Sequence, residues 1–283
     1  AADPSPISAE NPVSTETPIN TENMSETVKV LASDEYMGRA PGTEGETKTV
    51  AYLIERFKDL GLEPGGRDGK WTDPVTLKHS VVNDIRTLSF DLGETAIPLK
   101  QGLDINISSP NPREDIAMKD VPIVFVGFGA SAPERDWDDY GDMDLTGKVA
   151  LFLVNDPDFG VEEDDPVAGV FGGRRMTYYG RWAYKYEEAA RRGAVAAFVI
   201  HETKPAGYGW NVAASSPGEN YTVASKGPAK PALDLRGWLH EDMARQLLTQ
   251  AGYDLDELKV AARKRDFEAF TLDDLHFNAD LGL

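Results

Sequence analysis

The chain contains no cysteine, and this excludes disulfide bonds, thiolate nucleophiles and cysteine-held zinc together. Histidine is almost as scarce. The four present, His79, His201, His240 and His276, lie far apart, and no pair shows zinc-ligand spacing. No run of about 18 apolar residues occurs, so nothing here reads as a membrane span. Positive charge is in deficit: 29 Lys and Arg stand against 48 Asp and Glu, a formal net charge of -19. Such a surface repels phosphate backbones and no basic stripe interrupts it, which argues against a nucleic-acid partner. There is no G-x-S-x-G elbow and no Ser stands out, leaving a Ser-His-Asp triad unsupported. Repeats of fixed period are absent too.

What remains is ordinary for a globular protein. Hydrophobic residues at 41% over 283 residues suffice for a large core in one large or two ordinary domains. The opening stretch AADPSPISAENPVSTETPINTEN is rich in Pro, Ser, Thr and Asn and begins with Ala. Residues 1–24 therefore read as a flexible leader left by signal-peptide removal, although a cloning boundary would look the same. On the first reading the protein is periplasmic or extracellular. Glycosylation triplets at Asn23, Asn106 and Asn220 are taken as chance matches.

Hydrophobic period then assigns elements. Residues 25–31 predict a short helix. After the loop GRAPGTEG, Val50, Leu53, Ile54, Phe57 and Leu60 recur at helical spacing, with a capping box at Thr43-x-x-Glu46 and a stop at Gly61. Strand signals come after it in VTLKHSVV, RTLSFDL and AIPLK. Three continuous apolar runs come next, VPIVFV (121–126), KVALFLV (148–154) and AVAAFVI (194–200), the last after the helical stretch YGRWAYKYEEAARRG. Such runs predict a sheet covered on both faces. Residues 233–235 add a short strand, residues 240–251 and 256–264 helices, the first with Met243, Leu247, Leu248 and Ala251 inward. Finally Leu275, Phe277, Ala279 and Leu281 alternate with polar residues as a half-buried strand does.

Several motifs imitate chemistry. Gly127-Phe-Gly129-Ala-Ser-Ala132 matches a dinucleotide fingerprint, but Pro133 and the acidic ERDWDDYGD stand where a helix facing a diphosphate is needed. His240-Glu-Asp242 has the letters of a zinc ligand and bridging carboxylate, yet it opens a helix after Gly237-Trp-Leu239, where Asp and Glu already suit the helix dipole. Glu187-Glu188 lies beside Arg191 and Arg192 as a solvated face would. The oxygen-rich residues 155–165, with Asn155, Asp156, Asp158, Glu162, Glu163, Asp164 and Asp165, could hold calcium but lack EF-hand spacing, and an exposed acidic loop is favoured. Among Tyr178, Tyr179, Trp182, Tyr184 and Tyr186, the pair Trp182/Tyr186 is read as one buried stripe rather than as a peptide-binding surface.

Three segments together resemble a known family. They are SDEYMGRAPGTEGE with the helix through Gly61, FVGFGASAPERDWDDYGDMDLTGKVALFLVNDPDF, and MTYYGRWAYKYEEAARRGAVAAFVIHET. The first is similar to the opening of the two-zinc aminopeptidases and glutamate carboxypeptidase-like peptidases. The other two resemble the protease-associated (PA) domain that many of these enzymes insert. The resemblance implies an α/β fold: an incomplete zinc-peptidase-type domain carrying an inserted β-rich PA domain. Residues 25–82 would open the peptidase-type domain, residues 83–264 form the insert, and residues 266–283 return to the first domain as the opening strand of a remainder not in this chain. In the family the zinc ligands come after that return, so the resemblance carries no catalytic, cofactor or metal residue onto this sequence. Arg39 is the one position it would set near a cleft, and a loop-bracing role fits Arg39 equally. Two zinc ions and a peptide substrate are expected of the full-length protein. The alternative is a stand-alone PA-type binding module, and the oligomeric state stays open.

Overall fold

The computed structural model describes residues 19–111, 113–224 and 231–283, divided into two compact units, Ala1–Pro74 and Val75–Leu283. Most of the leader thus lies outside the described residues. Its end does not: helix α1 (Thr21–Leu31) starts before residue 25, because the Asn20 side chain caps it by accepting from the N–H groups of Glu22 and Asn23, both at 3.0 Å.

In the first unit helix α2 (Glu44–Asp59) comes after a 3-10 stretch. Thr43 is its N-cap, accepting from Glu46 N, while Glu46 Oε2 accepts from Gly42 N at 2.6 Å, one residue earlier than a capping box would have it. The other end is a Schellman motif: Gly61, at φ 74°, donates to Lys58 O, and Leu62 donates to Phe57 O. Despite this double capping, the apolar row finds no core. Val50, Leu53 and Ile54 are half-buried, Phe57 is 42% exposed and Leu60 71%. Among the described residues of the unit only Gly45 is buried.

The second unit is a mixed α/β structure around one eight-stranded sheet, order β3-β2-β12-β5-β8-β9-β11-β4. Its strands are β2 (Asp84–Leu92), β3 (Thr95–Pro98), β4 (Ile105–Ser108), β5 (Asp115–Phe125), β8 (Val149–Leu153), β9 (Ala196–His201), β11 (Leu235–His240) and β12 (Phe270–Gly282). A separate ribbon pairs β1 (Leu77–Val81) with β10 (Glu219–Val223), and a small one pairs β6 (Ser131–Ala132) with β7 (Trp137–Asp138). The helices are α3 (Trp182–Arg191), α4 (Thr203–Ala206), α5 (Trp210–Ala213), α6 (Glu241–Gln250) and α7 (Leu255–Ala262).

The centre, β5-β8-β9-β11, is parallel, and its continuous apolar runs serve two cores at once. Val149, Leu151 and Leu153 face the side covered by α6 and α7; Ala150, Phe152 and Val154 face the side covered by α3. Ala196, Phe198 and Ile200 alternate with Ala197 and Val199 in the same way.

Two boundaries differ from the sequence reading. The unit division falls at residues 74/75 rather than 82/83, since β1 is held by β10 in the second unit. Residues 270–282, expected to open a further domain, lie inside the sheet between β2 and β5. Local alternation identified that strand correctly, but a period of two carries no information about its neighbours.

Candidate functional site

The carboxyl ends of the parallel strands gather the unusual chemistry of the second unit. Lys185 on α3 is fully buried, and its Nζ donates to three backbone carbonyls: Phe128, Asn155 at 3.1 Å and Tyr179 at 3.3 Å. One ammonium therefore ties together the loops after β5 and β8 and the entry to α3. Among the described residues no carboxylate is in ion-pair contact with it. Burial pushes its pKa down to about 8, with the charges of Asp156 and Asp139 pulling the other way. Asp139, also buried, accepts from Ala130 N and Trp137 Nε1, both at 2.8 Å, and desolvation lifts its carboxyl to about 7. Asp156 accepts from the backbone N–H and hydroxyl of Thr177, and burial raises its pKa as well. With its three N–H donors spent on these carbonyls, Lys185 serves to hold the loops. Its sequence signal was its place four residues before Ala189, in the buried row of α3.

Arg39 is exposed, sits at φ 61° and donates to Leu31 O, so its side chain braces the loop on which it lies. His240 is the last residue of a buried strand, β11, which runs on beyond the short strand expected at residues 233–235. It then N-caps α6 through Nδ1, which accepts from Asp242 N at 3.1 Å. The parallel register sets His240 beside His201, a pairing that their distance in sequence concealed. His201 is buried among Tyr208, Trp210 and Trp238, its Nε2 lacks a partner, and burial, then the charge of His240, lowers its pKa. Even so, among the described residues no three His, Asp or Glu side chains come together as a metal set. The described residues do not fit two zinc ions.

The other imitations resolve structurally. Gly127 and Gly129 have φ of 61° and 65°, and a Cβ on them would meet Phe267 at 2.7 Å and Phe152 at 2.4 Å. Core packing, not phosphate approach, requires these glycines; the chain continues into β6 and a 3-10 turn rather than a helix. Glu188 is less solvated than expected, with ion pairs to Arg191 and Arg192 at 2.6 and 2.8 Å. Tyr184 and Tyr186 are buried, but Trp182 is 43% exposed and lines a cavity of about 220 Å³ with Tyr208 and Trp238. The expected Trp182/Tyr186 stripe is thus half open. Asn106 and Asn220 spend their side-chain amides on Ala213 O and Ser109 O.

No family model matches this sequence, and no curated protein does. Among solved structures the chain is similar to an aminopeptidase from Aneurinibacillus sp. strain AM-1, with TM-score 0.40 and 16% identity over 93% of this chain and 44% of that one. It is also similar to BSAP, a zinc aminopeptidase from Bacillus subtilis, with TM-score 0.34 and 15% identity over 94% of this chain and 44% of the other. The chain spans less than half the length of either. At these scores neither lends this chain an activity.

Proposed function

We propose that this chain is the non-catalytic N-terminal portion of a secreted zinc-dependent aminopeptidase, supplying scaffold, a cleft wall and control of substrate access. One observation carries this reading: α2 is fixed at both ends, yet within its own unit its apolar row is at most half-buried. A helix of a globular protein buries such a row. Within its own unit the row therefore lacks cover, and the sequence likeness of SDEYMGRAPGTEGE suggests the cover, a peptidase domain. In this layout the second unit is the PA-type insert, with residues 83–264 as its body and residues 270–282 a strand of its own sheet. Arg39 borders the cleft, and the peptide substrate and both zinc ions belong to the remainder. Because the described residues do not fit the metals, no catalytic step is assigned to them. Among the described residues no helix is long and apolar enough to cross a membrane, in keeping with a secreted protein.

Aminoacyl-nitroanilide hydrolysis with added zinc tests the reading. The expected result is no turnover by this chain. Zinc-dependent turnover that is lost on chelation and in His240→Ala would overturn it.

A second reading has its own support: Val75–Leu283 contains a complete core, as a stand-alone binding module would. The mass of the native protein separates the two. A mass well above that of these 283 residues favours the peptidase, and a matching mass favours the module.

A further inference from the structure

The loop between β8 and α3 and the start of α4 enclose a cleft of about 980 Å³, at the upper end of ligand-pocket sizes. Asp158, Glu162, Glu163 and Asp164 line it, together with Arg174 and Lys204. Among the described residues none of these six side chains forms an ion pair, although such pairs occur elsewhere, as between Lys259 and Glu202 or Arg245 and Asp256. Asp158 separates this cleft from an ordinary acidic loop. It is 1% exposed; Oδ2 accepts from Phe171 N and Gly173 N, both at 2.9 Å, while Oδ1 is buried and accepts nothing. A buried carboxylate oxygen without a donor is costly. A ligand that brings the donor removes that cost.

Calcium is not that ligand. The side chains of Asn155 and Asp156 are engaged with Pro205 O and Thr177, and no three carboxylates converge among the described residues. The donors are instead spread along the cleft, with Arg174 and Lys204 beside them, a mixed lining that suits a ligand carrying charges of both signs. The cleft also lies beyond the carboxyl ends of the adjacent parallel strands β8 and β9, in connecting segments of the kind that carry binding sites on a rigid scaffold. We infer that it is a binding site for a short basic peptide. The ligand's ammonium or guanidinium groups meet the four carboxylates, and its carboxylate meets Arg174 and Lys204. The inference does not depend on the peptidase reading.

The test is calorimetric titration of the full chain with trilysine, with trilysine amide and with Ca²⁺. Saturable 1:1 binding of trilysine is expected, weakened roughly tenfold or more in the triple variant Glu162→Gln/Glu163→Gln/Asp164→Asn, whose three sites are all exposed. A control of equal charge change, Glu22→Gln/Glu26→Gln/Glu63→Gln, is expected to leave binding unchanged. The double variant Arg174→Gln/Lys204→Gln is expected to abolish the preference for the free carboxylate over the amide. Absence of saturable binding, or equal weakening by the two triple variants, would show only diffuse attraction to an acidic protein and overturn the proposal. Displacement of trilysine by one Ca²⁺ would overturn it in favour of a metal site.

Discussion

Asp139 shows how a single residue can set the pH response. Burial dominates its environment and raises its carboxyl from 3.8 to about 7, against two hydrogen-bond donors and the charge of Lys185, with Asp138 adding to the rise. A folded-state value above the unfolded one stabilises the protein fully below the unfolded pKa and loses that contribution as pH climbs through the folded pKa. The window is therefore about pH 4 to 7. About three units at roughly 1.4 kcal/mol each make the loss of the order of 4 kcal/mol. Asp139→Asn cannot ionise, so its hydrogen-bond change is a constant offset while this slope disappears. Urea unfolding at about pH 4.5, 6 and 7.5, which spans that window, should show wild type losing stability relative to the variant as pH rises; a constant difference would refute the assignment. None of this was legible in ERDWDDYGD, which reads as a solvated turn. Its acidity is plain and the Trp137 indole is only two residues away, but the burial and the charge of Lys185 arise only when α3 packs against the loops.

At the scale of elements the sequence was most legible where both faces are buried. The runs around β8 and β9 could be recognised because a doubly covered strand has no polar alternation. The caps of α2 were readable because capping is local chemistry between residues three or four apart. Strand neighbours were not readable, and Gly237 illustrates the difference. It sits in mid-strand in β11, opposite Ile107 of β4, and a Cβ there would lie 2.0 Å from Asn106 O. The glycine is needed because another backbone approaches, from a strand so distant in sequence that no local pattern announces it. Gly237→Ala is expected to cost about 3 kcal/mol or more, at the top of the overpacking range, by forcing β4 off the sheet edge. Gly147, at φ 71° with nothing within 4 Å, calibrates the effect: its replacement by Ala is expected to cost only about 1–2 kcal/mol of backbone strain. Equal losses in denaturant titrations of the two variants would disprove the close-approach account.

At the scale of the whole molecule the question is where the folding free energy resides. The second unit has apolar layers on both faces of its sheet, closed by helices, so burial can offset the entropy of ordering the chain. In the first unit no described apolar side chain is buried, and its α-helices have only 11 and 16 residues. Isolated helices shorter than about 12–15 residues are marginal in water, α2 is barely longer than that, and capping contributes only about 1 kcal/mol at each end. Caps can fix where α2 begins and ends without making it a stable domain. Residues 75–283 expressed alone are therefore expected to unfold in one cooperative, heat-absorbing transition. Residues 19–74 alone are expected to give a weak helical signal that fades gradually on warming. Scanning calorimetry with far-UV circular dichroism on the two pieces decides the matter. A cooperative transition in residues 19–74 would mean that the row Val50, Leu53, Ile54, Phe57 and Leu60 needs no covering partner, and the strongest support for an absent peptidase domain would fall with it.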